Sequence, residues 1–224
     1  MKFEDLVKLY DRAKKKYGND TYKYISSILA SAKQKHKKDF SGKDHEQSWR
    51  AFKGKNLEKL LCYIIQTEVY SMGLKLVDGN KLERTIEANL SDELANVKRN
   101  LYIDYGEYGA HLPDVDVIIY EPISSKIIAL LSVKVTLRER VAQTGYWKIK
   151  LSKQSRTKHI KVFFITPDED GTLIDKKFPK KGRAIVEIDT DGGYVMNDSQ
   201  IQESRNIKTF DKFFVDLRSL IVKK

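Results

Sequence analysis

Acidic and basic side chains flank two apolar runs between His111 and Lys134. Asp114 and Asp116 open the first run, and Ser132 and Lys134 close the second. Because side chains alternate along a strand, the two members of each pair share one face. If the two strands pair across the turn between them, carboxylates and ammonium meet at one end of a hairpin. Such a cluster can hold a hard divalent cation and polarise a phosphate ester, which is the chemistry of a metal-dependent nuclease.

The surrounding periodicity predicts a mixed α/β fold, with a central β-sheet flanked by helices and an N-terminal helical region. Helices are expected at residues 3–18, 20–38, 48–72 or 55–72, 136–150 and 210–222. Strands are expected at residues 74–77, 102–105, 116–120, 127–135, 160–165 and 184–188, with a turn at 189–193. The charged segment 136–150 has the length of a crossover helix between two parallel strands. This order predicts a βαβ unit of right-handed crossover within a mixed sheet.

Composition limits the classes of protein that fit. The 224 residues suit one domain, or one core with a helical appendage, and a hydrophobic content of 41% favours a folded chain. A single cysteine, Cys62, lies in an apolar run and is predicted to be a buried thiol. The start lacks an apolar signal core and no apolar run reaches membrane-spanning length, so a soluble, cytoplasmic protein is expected.

The net charge is strongly positive. A formal charge of +11 and a pI near 9.4 suggest a polyanionic partner, and nucleic acid is the commonest one. The alternative is a lysine-rich proteome, which raises the pI without any ligand. There is no P-loop and no GxGxxG motif, which argues against a nucleotide-driven motor or a Rossmann methyltransferase.

Three segments together resemble a known nuclease superfamily. Pro113-Asp114 followed by Ser132-Val133-Lys134 resembles the PD-(D/E)XK signature, in the variant where serine replaces the acid before X-Lys. That variant is similar to a branch of type II restriction endonucleases, and VTLRERVAQT resembles segments of the BsaWI-like or Cfr10I-like group. KGKNLEKLL resembles the first core helix of the superfamily, where a glutamate points toward the metal. The resemblance covers residues 53–168, about half the chain.

The resemblance implies a restriction-endonuclease-like core at residues 53–224, which includes the C-terminal helix. Residues 1–52 then form an N-terminal helical region that clasps DNA or builds a dimer. It also implies Mg²⁺ as cofactor, with Mn²⁺ as a substitute, and double-stranded DNA as substrate. A homodimer and a cognate DNA methyltransferase in the same host are expected as partners.

Catalytic roles follow from the same resemblance. Lys134 would orient the attacking water and offset the charge that grows on phosphate. The register of the motif favours Asp114 as the metal ligand because it follows the proline directly, but Asp116 shares its face and lies closer to the strand. One of the two aspartates is expected to cap the strand end. The alternative for Lys134 is a strand-end lysine that reaches solvent.

Ser132 leaves the site one carboxylate short, because a serine oxygen is a poor replacement for a charged ligand. Glu139, on the expected crossover helix, is one candidate for the missing acid, with a helical salt bridge as its alternative role. Glu58, on the third helix, is the other candidate. The sequence leaves the choice open.

Basic residues after Lys134 provide an expected DNA surface. Arg138, Arg140, Gln143 and Arg156 are candidates for reading base edges, although most charge runs are solvated faces. The predicted function is a Mg²⁺-dependent type II restriction endonuclease. The alternatives are a repair or junction-resolving nuclease of the same fold, or a basic DNA-binding protein without catalytic activity.

Overall fold

The computed structural model describes residues 1–137 and 140–222. Its helices are α1 Phe3–Tyr17, α2 Ile25–Asp39, α3 His45–Ser71, α4 Gly79–Arg84, α5 Asp92–Leu101, α6 Arg140–Ser152, α7 Lys181–Asp189 and α8 Phe213–Val222. Its strands are β1 Lys75–Asp78, β2 Ile103–Asp104, β3 Ala110–His111, β4 Val117–Glu121, β5 Lys126–Val133, β6 Lys161–Thr166, β7 Gly192–Val195 and β8 Ile207–Thr209.

Six strands form the central sheet in the order β1-β4-β5-β6-β7-β8. β1, β4 and β5 are antiparallel neighbours, and β5, β6, β7 and β8 run parallel. Helix α6 connects the parallel pair β5 and β6, as the βαβ prediction requires. The mixed sheet flanked by helices is therefore confirmed, and β2 and β3 form a separate two-stranded hairpin.

Alternation along the strands divides the core between the two faces of the sheet. Val117 and Leu131 pack with α1, α2 and α3 on one face, whereas Ile118 and Leu130 pack with α5 and the end of α6 on the other. Each such buried aliphatic side chain contributes about 1.5–3 kcal/mol relative to an exposed one. The N-terminal helices share a core cluster with the sheet, and α3 runs without interruption across the expected boundary between residues 52 and 53.

The strand predicted at residues 184–188 is wrong, because this segment lies within α7. The short apolar run fits both the helical period of 3.6 residues and the strand period of two residues. A helix buries Arg183 and Val186 on one side and leaves Ile188 exposed, whereas a strand would have buried alternate residues. The strand of this region begins instead at Gly192, within the predicted turn. Gly192 has φ 142°, and a Cβ there would lie 2.3 Å from the Asn206 carbonyl oxygen, so only glycine fits.

Other boundaries differ by a few residues. The second helix begins at Ile25 after a 3₁₀ turn, and the third begins at His45, where the Asp44 side chain accepts the Gln47 amide hydrogen at 2.9 Å. Cys62 is a free thiol and partly exposed rather than buried. No helix in the described ranges is long and apolar enough to cross a bilayer.

Candidate active site

Asp116 lies at the start of β4, at the edge of the sheet where β5 ends. Its backbone amide donates to the Leu131 carbonyl at 3.2 Å, so the β4–β5 ladder extends one residue beyond the strand. Asp116 is 4% exposed, and its carboxylate accepts the Val133 amide hydrogen at 2.6 Å. The Lys134 ammonium donates to both of its oxygens, at 2.8 and 2.7 Å. The hairpin therefore joins an acid and a lysine, as its sequence predicts.

Lys134 and Glu58 complete the cluster from two other elements. Lys134 follows β5 directly, and its amide donates to the Ile165 carbonyl of β6 at 3.2 Å, which fixes the backbone there. Its Nζ lies 3.9 Å from Oε1 of Glu58. Glu58 projects from the middle of α3, which packs on the sheet through its apolar face. One lysine thus lies between two carboxylates from different elements.

The two carboxylates interact strongly. Burial and the neighbouring Asp116 carboxylate raise the pKa of Glu58 to about 8, and Lys134 offsets only part of this effect. At neutral pH Glu58 therefore holds a proton unless a further cation joins the site. Closely spaced oxygen ligands in a partly buried position fit a hard divalent cation. No group of three His, Cys, Asp or Glu residues suited to a metal occurs within residues 1–137 and 140–222, so two carboxylates form the described donor set.

Asp114 and Ser132 have different surroundings from those that the motif register predicts. Asp114 is exposed, and its carboxylate accepts a hydrogen bond from the Gln143 side chain at 2.9 Å. Ser132 is buried against α6, and the Thr144 hydroxyl donates to its Oγ at 3.2 Å. Of the two aspartates, Asp116 is the one that contacts Lys134 among the described residues, although the register favoured Asp114. The reason is that the paired backbone continues to Asp116 before β4 begins.

A cavity of about 550 Å³ opens beside Lys134 and Glu58. Arg50 and Lys53 of α3 line it, together with Arg140 and Glu169. Sequence reasoning did not select Arg50, Lys53 or Glu169. A signal was present, because Arg50, Gly54 and Glu58 follow at intervals of four along one helical face, but the start of that helix was left between residues 48 and 55.

Glu169 connects the cavity wall to the sheet. Its carboxylate binds the Lys53 ammonium at 2.8 Å, and its amide donates to the Val135 carbonyl at 3.2 Å. Cationic side chains therefore converge on a space that is continuous with the carboxylate–lysine cluster. A phosphate group is the ligand that such an arrangement suits.

The remaining predicted residues lie at different places. Arg140 lines the cavity at the start of α6, one turn before Gln143. Arg156 precedes β6, at the edge of the sheet opposite Lys134, and donates to the Arg99 carbonyl at 3.3 Å. Arg138 and Glu139 lie outside the described residues.

A family model described as BsaWI restriction endonuclease type 2 matches residues 93–216. A protein of Methanocaldococcus jannaschii, named as type II restriction enzyme MjaVIP, is 35% identical over 223 residues, covering 97% of this chain and 93% of the relative. The chain belongs to the BsaWI family of type II restriction endonucleases. A protein of Helicobacter pylori, named as type II restriction enzyme HpyAORF263P, is 38% identical over 127 residues, covering 57% of this chain and 64% of the relative.

The fold agrees with that assignment. The structure of a specific complex of restriction endonuclease AgeI with DNA aligns with a TM-score of 0.59 and 14% sequence identity, covering 95% of this chain and 91% of the other. At this identity the similarity concerns the fold, and it confirms the predicted restriction-endonuclease-like fold class.

Proposed function

We propose that this BsaWI-family enzyme hydrolyses phosphodiester bonds of double-stranded DNA at a short specific sequence, in a reaction that requires Mg²⁺ or Mn²⁺. The observation that carries the proposal is the contact of Lys134 with Asp116 and Glu58 at the mouth of a cationic cavity. Family membership selects restriction over repair or junction resolution.

Asp116 and Glu58 are the proposed metal ligands, with Asp114 and Glu139 as further candidates for a carboxylate that the site lacks. A bound Mg²⁺ would polarise the phosphate and lower the pKa of a coordinated water. Entry of the cation would remove the repulsion between the two carboxylates, so Glu58 would lose its proton. Ser132 contributes by anchoring α6 through Thr144 and is not a proposed metal ligand.

Lys134 is the proposed catalytic lysine. Asp116 holds its ammonium through two hydrogen bonds, so the cation has a fixed position when the substrate arrives. Fixed charge of this kind stabilises a transition state without the cost of reorganisation. The ammonium would orient the water and offset the growing phosphate charge, while Arg50, Lys53 and Arg140 bind the flanking phosphates. Gln143 and Arg138 are the proposed contacts with base edges.

The decisive experiment is a digest of plasmid DNA by the full-length protein. We expect discrete fragments with Mg²⁺ or Mn²⁺, no cleavage in EDTA, and binding without turnover in Ca²⁺. Sequencing of the fragment ends gives the recognition site and the cut position. Failure to cleave with either metal, together with salt-sensitive binding, would favour a DNA-binding protein without catalytic activity. Preference for branched over linear DNA would favour a junction-resolving nuclease.

Double-strand cleavage at a symmetric site needs two active centres, most simply in a C2 homodimer. Residues 1–52 are the proposed dimer or DNA-clasping region, and the exposed Val215 side chain on α8 offers a second apolar contact. Light scattering should give twice the 26.0 kDa chain mass, or a higher even multiple. A monomer that makes double-strand breaks would argue against this assembly. Action in the cytoplasm alongside a cognate methyltransferase is part of the same proposal.

A further inference from the structure

Six consecutive exposed residues, Lys176-Lys177-Phe178-Pro179-Lys180-Lys181, precede and begin helix α7. We call them the lysine loop. The Phe178 side chain at its centre is 74% exposed. Of the residues that the structure describes, none places a carboxylate within ion-pair distance of these four lysines. The Lys177 ammonium lies 5.4 Å from the centre of the Phe178 ring, so a cation and an aromatic ring are exposed together.

The backbone of the lysine loop is held in place by specific hydrogen bonds. The Asp175 carboxylate accepts the amides of Lys177 and Phe178, at 2.8 and 2.9 Å. The Gln202 side chain accepts the Lys176 amide at 2.9 Å. Arg183, only 1% exposed, donates to the Gln202 carbonyl at 2.6 Å and also binds the Leu173 carbonyl. The exposed side chains are therefore presented from a fixed support.

The lysine loop lies at the same edge of the sheet as the proposed active site. β6 runs parallel to β5 and ends at this edge, and Asp168 just after it accepts the Thr172 and Leu173 amides at 2.8 and 2.9 Å. The Lys180 ammonium reaches back to the Asp170 carbonyl at 2.7 Å. Asp170 is the neighbour of Glu169, which lines the cavity. The Lys180 side chain therefore reaches the chain segment that borders the cavity.

The geometry points to the lysine loop as a second DNA-binding surface, in which the lysines contact backbone phosphates beside the cleaved bond and Phe178 packs against bases in a groove. This inference rests on the proposed function. Four lysines without a carboxylate partner among the described residues complement a polyanion, and apolar side chains inserted between base steps are a known mode of DNA contact. Because the loop is anchored, binding requires little ordering, which favours defined contacts over general attraction.

The salt dependence of DNA binding tests the lysines. We compare K176A/K177A with K126A/K158A, which removes the same charge from two exposed positions at the opposite edge of the sheet. Binding to a labelled duplex fragment of the test plasmid is measured in Ca²⁺ over a range of salt concentrations. Loss of two phosphate contacts should reduce the slope of log K against log salt by roughly 1.8, because each contact contributes about 0.9. The control should keep the wild-type slope.

Phe178→Ala tests the aromatic contact, and Ile123→Ala is its control because Ile123 is 98% exposed in the β4–β5 turn. We expect Phe178→Ala to weaken binding roughly tenfold with an unchanged salt slope, because it removes apolar burial and no charge. Thermal unfolding should be unchanged for all four variants, since each altered side chain is exposed.

Several outcomes would overturn the inference. The inferred phosphate contacts would be contradicted if K176A/K177A kept the wild-type salt slope. They would also be contradicted if K126A/K158A reduced the slope by the same amount. The inferred contact of Phe178 with bases would be contradicted if Phe178→Ala bound DNA with wild-type affinity. If the wild-type protein binds and cuts the plasmid while these variants match it, this inference fails and the proposed function stands. If the wild-type protein binds but does not cut, the proposed function fails and the slopes still decide the role of the loop.

Discussion

Two partly buried groups of carboxylates and lysines lie on this sheet, and their charge balance differs. At Asp191, next to β7, one carboxylate accepts the ammonium groups of Lys148 and Lys161 at 2.6 and 2.8 Å and the Val162 amide at 2.9 Å. Burial opposes its charge, but these donors outweigh burial and lower its pKa. At Asp116 and Glu58, two carboxylates contact one lysine, and the pKa of Glu58 rises to about 8.

The comparison separates a structural ion cluster from a site that needs a ligand. The Asp191 cluster is satisfied by the protein alone, because its cations exceed its anions. The Asp116 cluster lacks positive charge and opens on a cavity of about 550 Å³, so its balance depends on something that binds. Perturbed pKa values at such a cleft are typical of functional sites. The types of group do not distinguish the two clusters, since both consist of carboxylates and lysines.

Lys134→Ala should produce the largest effect. The ammonium is proposed to act on the transition state, so plasmid cleavage should fall by roughly 10²–10³-fold while binding to the same DNA in Ca²⁺ is retained. Lys161→Ala is the matched control, because it removes a lysine from the Asp191 cluster. Cleavage by that variant should stay within a few-fold of wild type. Wild-type cleavage by Lys134→Ala would contradict the assignment of the active site.

The second prediction exchanges the two carboxylates for amides and measures stability. Asp191→Asn should lower the free energy of unfolding by on the order of 3 kcal/mol, because it leaves two partly buried lysines without their anion. Glu58→Gln should lower the free energy of unfolding little or raise it, because an amide does not need the proton that Glu58 takes up on folding at neutral pH. The same variant should lose cleavage. Urea denaturation at neutral pH compares the two. Equal destabilisation would show that both clusters serve the fold alone.

The sequence predicted the elements that carry this comparison better than it predicted their contacts. Alternating strands and a Pro-Asp/Ser-X-Lys spacing are local signals, so the β4–β5 hairpin and Lys134 were found. Alternation puts Asp114 and Asp116 on the same face of the strand, so it cannot decide between them. Which of the two contacts Lys134 depends on where the pairing of β4 with β5 stops. The motif did suggest Glu58, but its distance to Lys134 depends on how α3 packs.

Arg50 and Glu169 illustrate what the sequence could not predict. They are separated by more than a hundred positions, and they share a cavity because α3 crosses the sheet near the end of β6. The prediction for residues 184–188 was wrong for the opposite reason, because it rested on local pattern alone. Five residues fit both a strand and a helix, and the observed helix buries Arg183 and Val186 on one side.

The pH dependence of stability is the third prediction. Glu58 has a folded pKa of about 8, above the ordinary value of 4.5 for a glutamate. A raised pKa means that its contribution to stability is complete below pH 4.5 and is lost as pH rises through 8. We expect the free energy of unfolding, measured without divalent metal, to fall by on the order of 3 kcal/mol between pH 5 and 8 relative to Glu58→Gln.

Asp191 should give the opposite sign. Its pKa is lowered, so its contribution is present above the unfolded value of 3.8 and is lost as pH falls through the folded pKa. Wild type should therefore lose stability below pH 4 relative to Asp191→Asn. If Glu58→Gln and Asp191→Asn changed the pH dependence of stability in the same pH range, the predicted difference between the two clusters would be contradicted.

The smallest expected effect concerns the Lys53–Glu169 ion pair at the cavity wall. Its side chains are 20% and 29% exposed, so the pair should add at most about 1 kcal/mol to stability. Lys53→Ala should nevertheless lower cleavage roughly tenfold, because the ammonium is placed to bind a phosphate beside Lys134. Plasmid cleavage at several salt concentrations measures this effect.

Lys55→Ala is the control, since Lys55 is exposed on the same helix two residues away and does not line the cavity. Its cleavage rate and its unfolding should match those of the wild-type protein. If Lys53→Ala lost stability without losing cleavage, the pair would resemble the Asp191 cluster and would belong to the fold. If it lost cleavage alone, the cationic wall of the cavity would be part of the site that binds DNA, and the contrast between the two clusters would extend to Lys53.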